Sequence, residues 1–194
     1  MKLKLVPARQ GIVWVRMGMR TFFKQPLALT GLFFMFMAAM SVLSIVPLLG
    51  SGIALALLPA ATLGLMVATE EANKGKFPMP VVLISAFRAG HQRLRSMAIL
   101  GVLYALGFAL VMGLSTLVDD GQFARLYLGG EVNPEQLMQS DFELAALMAM
   151  ALYLPLSLMF WHAPALVHWH GISPVKSLFF SLVACLRNFW AYAL

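Results

Sequence analysis

The sequence has few charged residues and almost no cysteine. Of its 194 residues only 11% are charged, and Cys185 is the one cysteine. Soluble globular domains carry about 25% charged residues, so this composition cannot cover a surface that faces water. A single cysteine excludes a small scaffold held by intrachain disulfides. Because 61% of the residues are hydrophobic and the mean hydropathy is +0.83, a disordered chain is excluded too. The composition predicts an integral membrane protein.

Motifs of catalysis and metal binding are also missing. The sequence has no serine nucleophile elbow, no HExxH pair, no glycine-rich phosphate loop and no paired acids within its apolar runs. His162, His168 and His170 would point in different directions on a helix, with no cysteine or carboxylate nearby in the sequence. We interpret them as anchors at the membrane interface. We therefore expect a protein that is not an enzyme, with no metal and no cofactor.

Four apolar runs are long enough to cross a membrane. A helix needs about 20 residues to cross a hydrocarbon core of about 30 Å. Residues 26–69 contain no ionisable side chain and hold two spans, separated by a predicted turn at residues 47–52. Pro155 and Pro164 interrupt the last run. We predict an all-α polytopic transmembrane helix bundle with spans at 27–46, 53–68, 97–118 and 144–167.

The charges between the spans predict the orientation. All of the 14 Lys and Arg residues except Arg125 fall on one side of the predicted spans, and Arg125 lies in an acidic segment at 119–141. Cytoplasmic loops carry the excess of Lys and Arg, so we expect the N-terminus in the cytoplasm and residues 119–141 outside. Residues 1–24 have neither the apolar region nor the cleavage site of an export signal. At the end of the second span, Lys74 is within helical reach of Glu70 and Glu71.

Basic residues before the spans follow a helical spacing. Near the N-terminus they share one stripe of a helix, and apolar residues take the other side: Arg9, Arg16, Arg20 and Lys24 against Ile12, Val15, Met19 and Phe22. This pattern is typical of an amphipathic helix on an anionic membrane surface. A solvated tail is the alternative. We predict lipid-headgroup contacts at Arg16, Arg20, Lys24, Arg88, Arg93 and Arg95.

The order of these elements repeats along the chain. Pro7, Pro80 and Pro174 each open a short amphipathic stretch, and the first two stretches lead into pairs of spans. A single membrane domain is therefore predicted, with repeats at 7–79 and 80–173 and a partial third repeat at 174–194. A chance coincidence of prolines is the alternative. If the repeat is real, we expect a further hairpin of about 45–50 residues beyond residue 194.

Three stretches carry a resemblance to a known family. They are Leu5-Val-Pro-Ala-Arg-Gln-Gly-Ile-Val-Trp-Val-Arg, Phe22-Phe-Lys-Gln-Pro-Leu-Ala-Leu and Gly171-Ile-Ser-Pro-Val-Lys-Ser. In these stretches the chain resembles a family of uncharacterised multi-pass inner-membrane proteins of beta-proteobacteria. The resemblance covers most of the chain and weakens across residues 119–141. It implies a location in the cytoplasmic membrane of a Gram-negative cell and carries over no catalytic residue.

Two features indicate where a partner or a solute binds. Small residues at every fourth position of the third span form a groove in which a helix of this chain, of a second copy or of another protein can pack: Gly101, Ala105, Ala109 and Gly113. Prolines in two matching spans suggest the interrupted helices of a transporter. Their candidate solute site consists of Pro59, Thr62, Pro155 and Ser157. A simple kink at each proline is the alternative.

Two functions from different classes follow. The first is a non-enzymatic accessory or structural subunit of the inner membrane, which associates laterally with a larger membrane protein complex or with anionic lipid. The alternative is a transporter or exporter of a small or lipidic solute. The first three spans contain no Asp, Glu, Lys, Arg or His, which disfavours an ion-coupled carrier. We expect membrane lipids and other membrane subunits or a second copy as partners, and no nucleic acid.

Overall fold

The computed structural model describes residues 3–46, 49–128, 130 and 140–193. The regular elements of these residues are helices: α1 (Gln10–Lys24), α2 (Pro26–Ser44), α3 (Gly50–Asn73), a 3-10 helix (Pro80–Ile84), α4 (Ser85–Arg88), α5 (His91–Asp119), α6 (Gln122–Tyr127), α7 (Ser140–Trp161), α8 (Ala163–His170), α9 (Pro174–Arg187) and α10 (Phe189–Ala193). Four segments are long and apolar enough to cross a membrane, namely α2, α3, α5 and α7 with α8. The predicted all-α fold with four spans is confirmed.

The second helix of the first pair begins earlier than predicted. Of the predicted turn, Gly50, Ser51 and Gly52 belong to the first turn of α3, and Pro47 lies outside the described residues. A Cβ atom on Gly50 would lie 2.3 Å from the carbonyl oxygen of Leu43. Because glycine has no Cβ, α3 can begin directly beside the end of α2.

Helix α5 lies at the centre of the bundle and packs against both α3 and α7. A Cβ atom on Gly101 would lie 1.9 Å from the carbonyl oxygen of Ala56, and one on Gly107 would lie 2.6 Å from the Leu156 side chain. Lipid tails are as apolar as leucine, so helices in a membrane are held together by such close backbone approaches. One cluster of buried hydrophobic residues in the core consists of Ala60, Leu63, Ala86, Met97, Leu100, Ala163 and Val167.

The fourth span is broken at His162, and the prolines inside α3 and α7 do not interrupt their helices. Helix α3 continues through Pro59 and α7 through Pro155. At the break, the Ser181 hydroxyl accepts a hydrogen bond from the His162 N–H (2.9 Å) and donates one to the Leu158 carbonyl (2.7 Å). In an unbroken helix these two backbone groups would bond each other. A side chain from α9 therefore takes the place of one helical hydrogen bond.

The second basic segment differs from the predicted amphipathic stretch. It forms the 3-10 helix at Pro80–Ile84 and the single turn α4, and it ends at Gly90, which has a φ of +95°. Proline at the start of the 3-10 helix and a glycine with positive φ at the end are consistent with so short a segment. This segment packs closely on α3, where a Cβ atom on Gly64 would lie 2.6 Å from the Leu83 Cα.

The end of α1 meets the end of α3 at one end of the bundle. The Thr21 hydroxyl donates to the Asn73 side-chain oxygen (2.8 Å), and the Lys24 ammonium donates to the Asn73 carbonyl (3.1 Å). The Gln25 amide donates to the carbonyl of Lys76 (3.0 Å). These bonds place the end of α1 beside the end of α3 and the loop that follows it.

Candidate functional site

A cavity of about 370 Å³ lies between α3, α5 and α7. Its lining is mostly apolar with a few hydroxyl groups: Leu58, Pro59, Thr62, Met66, Tyr104, Tyr153, Ser157, Phe160 and Trp161. Three of the four residues of the predicted solute site, Pro59, Thr62 and Ser157, therefore line one cavity. Pro155 does not belong to this lining and is exposed on α7. The structure thus brings together residues that are far apart in the sequence.

Pro59 changes the hydrogen bonding of α3 at the cavity. Proline has no N–H, so the carbonyl of Leu55 lacks the helical partner that residue 59 would otherwise supply. The Thr62 hydroxyl donates to the Pro59 carbonyl at 3.0 Å. The Thr62 hydroxyl is thus a polar group of the cavity lining that an uncharged solute can use.

Two tyrosines close one end of the cavity. The hydroxyl oxygens of Tyr104 and Tyr153 lie 3.0 Å apart and share a hydrogen bond. Tyr104 is buried and its ring packs edge-on against Phe160, with ring centroids 5.0 Å apart. Sequence reasoning missed both residues. The sequence feature that could have indicated them is a tyrosine in the middle of an apolar span, because a buried phenol hydroxyl needs a hydrogen-bond partner.

A second cavity, of about 360 Å³, adjoins the first. The two share Leu58, Tyr104 and Tyr153, and the second extends towards Ser44 and Ser51 at the junction of α2 and α3. The tyrosine pair therefore separates two chambers that follow the same side of the bundle. Among the described residues that line them, none carries a charge. This chemistry suits an uncharged or lipidic solute.

The basic residues that we predicted to contact lipid are all exposed: Arg16, Arg20, Lys24, Arg88, Arg93 and Arg95. In the described part of the chain, none of them forms an ion pair with a carboxylate. The ion pair between Lys74 and Glu70 lies beside them, as the spacing predicted. Six exposed cations with no carboxylate partner among the described residues are suited to bind anionic groups.

Helix α1 has three different sides. At about 100° per residue, one side packs against α3 and α10 through Gly11, Trp14 and Thr21, and the Trp14 ring lies 5.2 Å from that of Tyr192. The other two are exposed: an apolar side with Ile12, Val15, Met19 and Phe23, and a basic side with Arg9, Arg16, Arg20 and Lys24. An exposed apolar side next to a basic side is typical of a helix at a membrane surface.

The small residues of α5 have two different environments. Gly101 packs against α3 of the same chain and Ala105 is half-buried. Ala109 and Gly113 are exposed, and a Cβ atom on Gly113 would meet no atom within 4 Å. Within this chain, only the first part of the stripe is therefore used for close helix packing.

The histidines do not converge. His162 Nε2 lies 2.6 Å from the Tyr192 hydroxyl, and the His168 ring packs edge-on against Trp169. His170 is exposed. In the residues that the structure describes, no group of three or more His, Cys, Asp or Glu side chains is placed to hold a metal ion.

The segment at 119–141 contains a helix that the sequence did not indicate. The Asp119 carboxylate accepts hydrogen bonds from the N–H groups of Gly121 (3.0 Å) and Phe123 (2.6 Å), which caps the start of α6. An aspartate just before a short apolar run was the available signal. Glu131 and Glu135, two acidic residues of this segment, lie outside the described residues.

Comparison with known proteins gives one informative similarity. A protein of Burkholderia thailandensis (strain E264), named a probable inner membrane protein, is 41% identical to this chain over 196 aligned residues. The alignment covers 99% of this chain and 73% of the relative. No family model matches the chain. No solved structure is similar to it.

Proposed function

This chain belongs to the family of that Burkholderia inner membrane protein, and from this premise we propose that it is a non-enzymatic accessory protein of the inner membrane. It associates laterally with anionic lipid or, as a subunit, with a larger membrane protein complex. The N-terminus and the loop after α3 lie in the cytoplasm. The resemblance noted from the sequence agrees with the family membership.

The observation that carries this proposal is the exposed basic surface made by α1, α4 and the start of α5. Its six arginine and lysine residues lack carboxylate partners among the described residues, and α1 adds an exposed apolar side directly beside them. Cations next to apolar side chains match the two chemistries of an anionic lipid leaflet, which has phosphate headgroups above acyl chains.

Lipid association is tested with a triple variant, Arg88→Gln, Arg93→Gln and Arg95→Gln. The purified protein is titrated with phosphatidylglycerol and with phosphatidylcholine, and bound lipid is counted by native mass spectrometry. We expect the variant to bind several-fold less phosphatidylglycerol and the same amount of phosphatidylcholine. Arg125→Gln, an exposed arginine away from this surface, is the matched control and should change neither. Equal binding by the triple variant and the control would contradict a role of this surface in lipid association.

Association with other subunits is tested by gentle extraction from the native membrane, again with native mass spectrometry. A stoichiometric complex with other proteins supports an accessory subunit and identifies its partner. A monomer that carries only phospholipid limits the proposal to lipid association. A protein that retains a non-lipid solute instead argues for the transporter described next.

A second candidate function, transport of an uncharged or lipidic solute, is favoured by the cavity between α3, α5 and α7. A bulky side chain at Ser157 would fill this cavity, whereas the same side chain at Leu154 would point to the exposed side of α7. Under this hypothesis Ser157→Trp slows efflux of the lipophilic dye Nile red from cells, and Leu154→Trp does not. Equal efflux in both variants and in cells that lack the protein would rule out transport of this probe.

A further inference from the structure

A cavity that bears cations lies between the N-terminal segment and the last two helices. It has a volume of about 770 Å³ and is lined by residues 3–7, one side of α1, and α9 with α10. Its walls are mostly apolar, with Trp14, Phe179, Phe180 and Val183 among them. This volume is in the range of about 300–1,000 Å³ that is typical of small-molecule sites.

Asn188 builds this cavity by joining the two ends of the chain. Its side-chain oxygen accepts a hydrogen bond from the Val6 N–H (2.9 Å), and its amide nitrogen donates to the carbonyls of Lys4 (3.3 Å) and Ala184 (3.0 Å). The Asn188 side chain is buried, so these bonds are shielded from water. They hold the N-terminal segment against the end of α9 as one wall of the cavity.

Two cations from distant parts of the sequence line this cavity. Lys4 belongs to the segment that Asn188 holds, and Arg187 directly precedes Asn188; both line the cavity. No carboxylate is among the lining residues that the structure describes, and neither cation forms an ion pair with a described carboxylate. The remaining polar lining includes the hydrogen-bonded pair of His162 and Tyr192. The cavity thus combines apolar walls with an unbalanced positive charge.

We propose that this cavity binds one molecule of an anionic phospholipid, with an acyl chain against Trp14, Phe180 and Val183 and the phosphate between Lys4 and Arg187. The Arg187 guanidinium is suited to hold two phosphate oxygens at once, and Lys4 adds a second cation. Phe179 and Phe180 are exposed at the rim, where a lipid can enter from the bilayer. The proposal goes beyond the surface association described above, because it concerns a single site built from other residues.

The test is native mass spectrometry of the delipidated full chain, titrated with phosphatidylglycerol, phosphatidylcholine and oleate. We expect one phosphatidylglycerol to bind before any other lipid. Lys4→Gln with Arg187→Gln should weaken this first binding step by about thirtyfold, since two cations near the headgroup are lost. The matched control, Arg125→Gln with Lys176→Gln, removes the same charge from exposed positions outside the cavity and should leave the first step unchanged.

A variant that keeps both cations distinguishes binding inside the cavity from a general effect of positive charge. Val183→Trp fills the apolar part and should also abolish the first binding step, while Lys4→Arg with Arg187→Lys should retain it. Size-exclusion elution and thermal unfolding confirm that each variant is folded. Loss of the first step in the Arg88, Arg93 and Arg95 triple variant but not in these variants would overturn the site and leave the proposed surface intact. Equal first binding of oleate or phosphatidylcholine would overturn the assignment to an anionic phospholipid.

Discussion

At the scale of single residues, the Ser181 hydroxyl stabilises the break in the fourth span. It takes the place of the helical hydrogen bond between Leu158 and His162, and its side chain is fully buried. Cys185, one turn further along α9, lies 3.8 Å from the same Leu158 carbonyl through its sulfur. Burial raises the pKa of the Cys185 thiol, so we expect it to stay protonated and unreactive at neutral pH.

The first prediction concerns the two hydrogen bonds of the Ser181 hydroxyl. Ser181→Ala removes both hydrogen bonds, leaves the His162 N–H without this acceptor and leaves the Leu158 carbonyl with only the weak Cys185 thiol donor. The loss costs about 1–3 kcal/mol of unfolding free energy. Ser177→Ala is the matched control, since Ser177 is equally buried but its hydroxyl donates to Pro174 within α9. The measurement is reversible unfolding in mixed micelles. Equal losses of unfolding free energy in the two variants would show that the Ser181 hydrogen bonds have no special role.

The tyrosine pair gives a second prediction at this scale. Replacing Tyr104 and Tyr153 with phenylalanine, singly and together, forms a double-mutant cycle around one hydrogen bond. The coupling energy between the two hydroxyls should be about 0.6 kcal/mol and at most about 1.7, as for other hydrogen bonds inside membranes. Tyr127, whose exposed ring contacts Phe108, provides a control pair with Tyr104. A cycle for Tyr104 and Tyr153 that gives no more coupling than this control would contradict the hydrogen bond.

At the scale of helices, the close contact between α3 and α5 depends on one glycine. Gly101→Ala would place its Cβ atom against the Ala56 carbonyl and push the two helices apart. Overpacking of this kind costs about 1–3 kcal/mol. Gly113→Ala, on the same helix in open space, should instead stabilise the protein by up to about 1 kcal/mol through helix propensity. If unfolding measurements show that Gly101→Ala is more stable than Gly113→Ala, this contact does not limit the packing of α3 against α5.

The bounds of the helices show how far local sequence signals reach. The four apolar runs predicted all four spans, because insertion depends on the length and hydrophobicity of each run by itself. Helix α3 extends to Asn73, beyond the predicted residue 68, and the ion pair between Glu70 and Lys74 lies at its end. The break at His162 was indicated in part by Pro164, which stands two residues further on at the start of α8 and was expected to interrupt this run. The Ser181 hydroxyl that replaces the helical hydrogen bond there was not predictable, because Ser181 is 19 positions away in the sequence.

At the scale of the whole molecule, the orientation stays a prediction that fusions can test. Alkaline phosphatase is active only outside the cytoplasm, whereas green fluorescent protein is fluorescent only inside it. We expect fluorescence from a fusion after Gly75 and phosphatase activity from a fusion after Gly130, because the first follows two spans and the second follows three. The reverse pattern would place the basic surface outside the cell and contradict its contact with the cytoplasmic leaflet.

The class of this protein, the number of its spans and the grouping of its basic residues could be predicted from the sequence, since each depends on composition along a short stretch. Which distant residues meet depends on how the helices pack. This packing brought Thr62 and Ser157 to one cavity beside Tyr104, and it brought Lys4 and Arg187 to another. In a membrane, hydrophobicity inserts every apolar helix but does not select its neighbours. Close glycine contacts and single hydrogen bonds, such as those of Asn188, make that selection, and they act between residues whose spacing follows no sequence period.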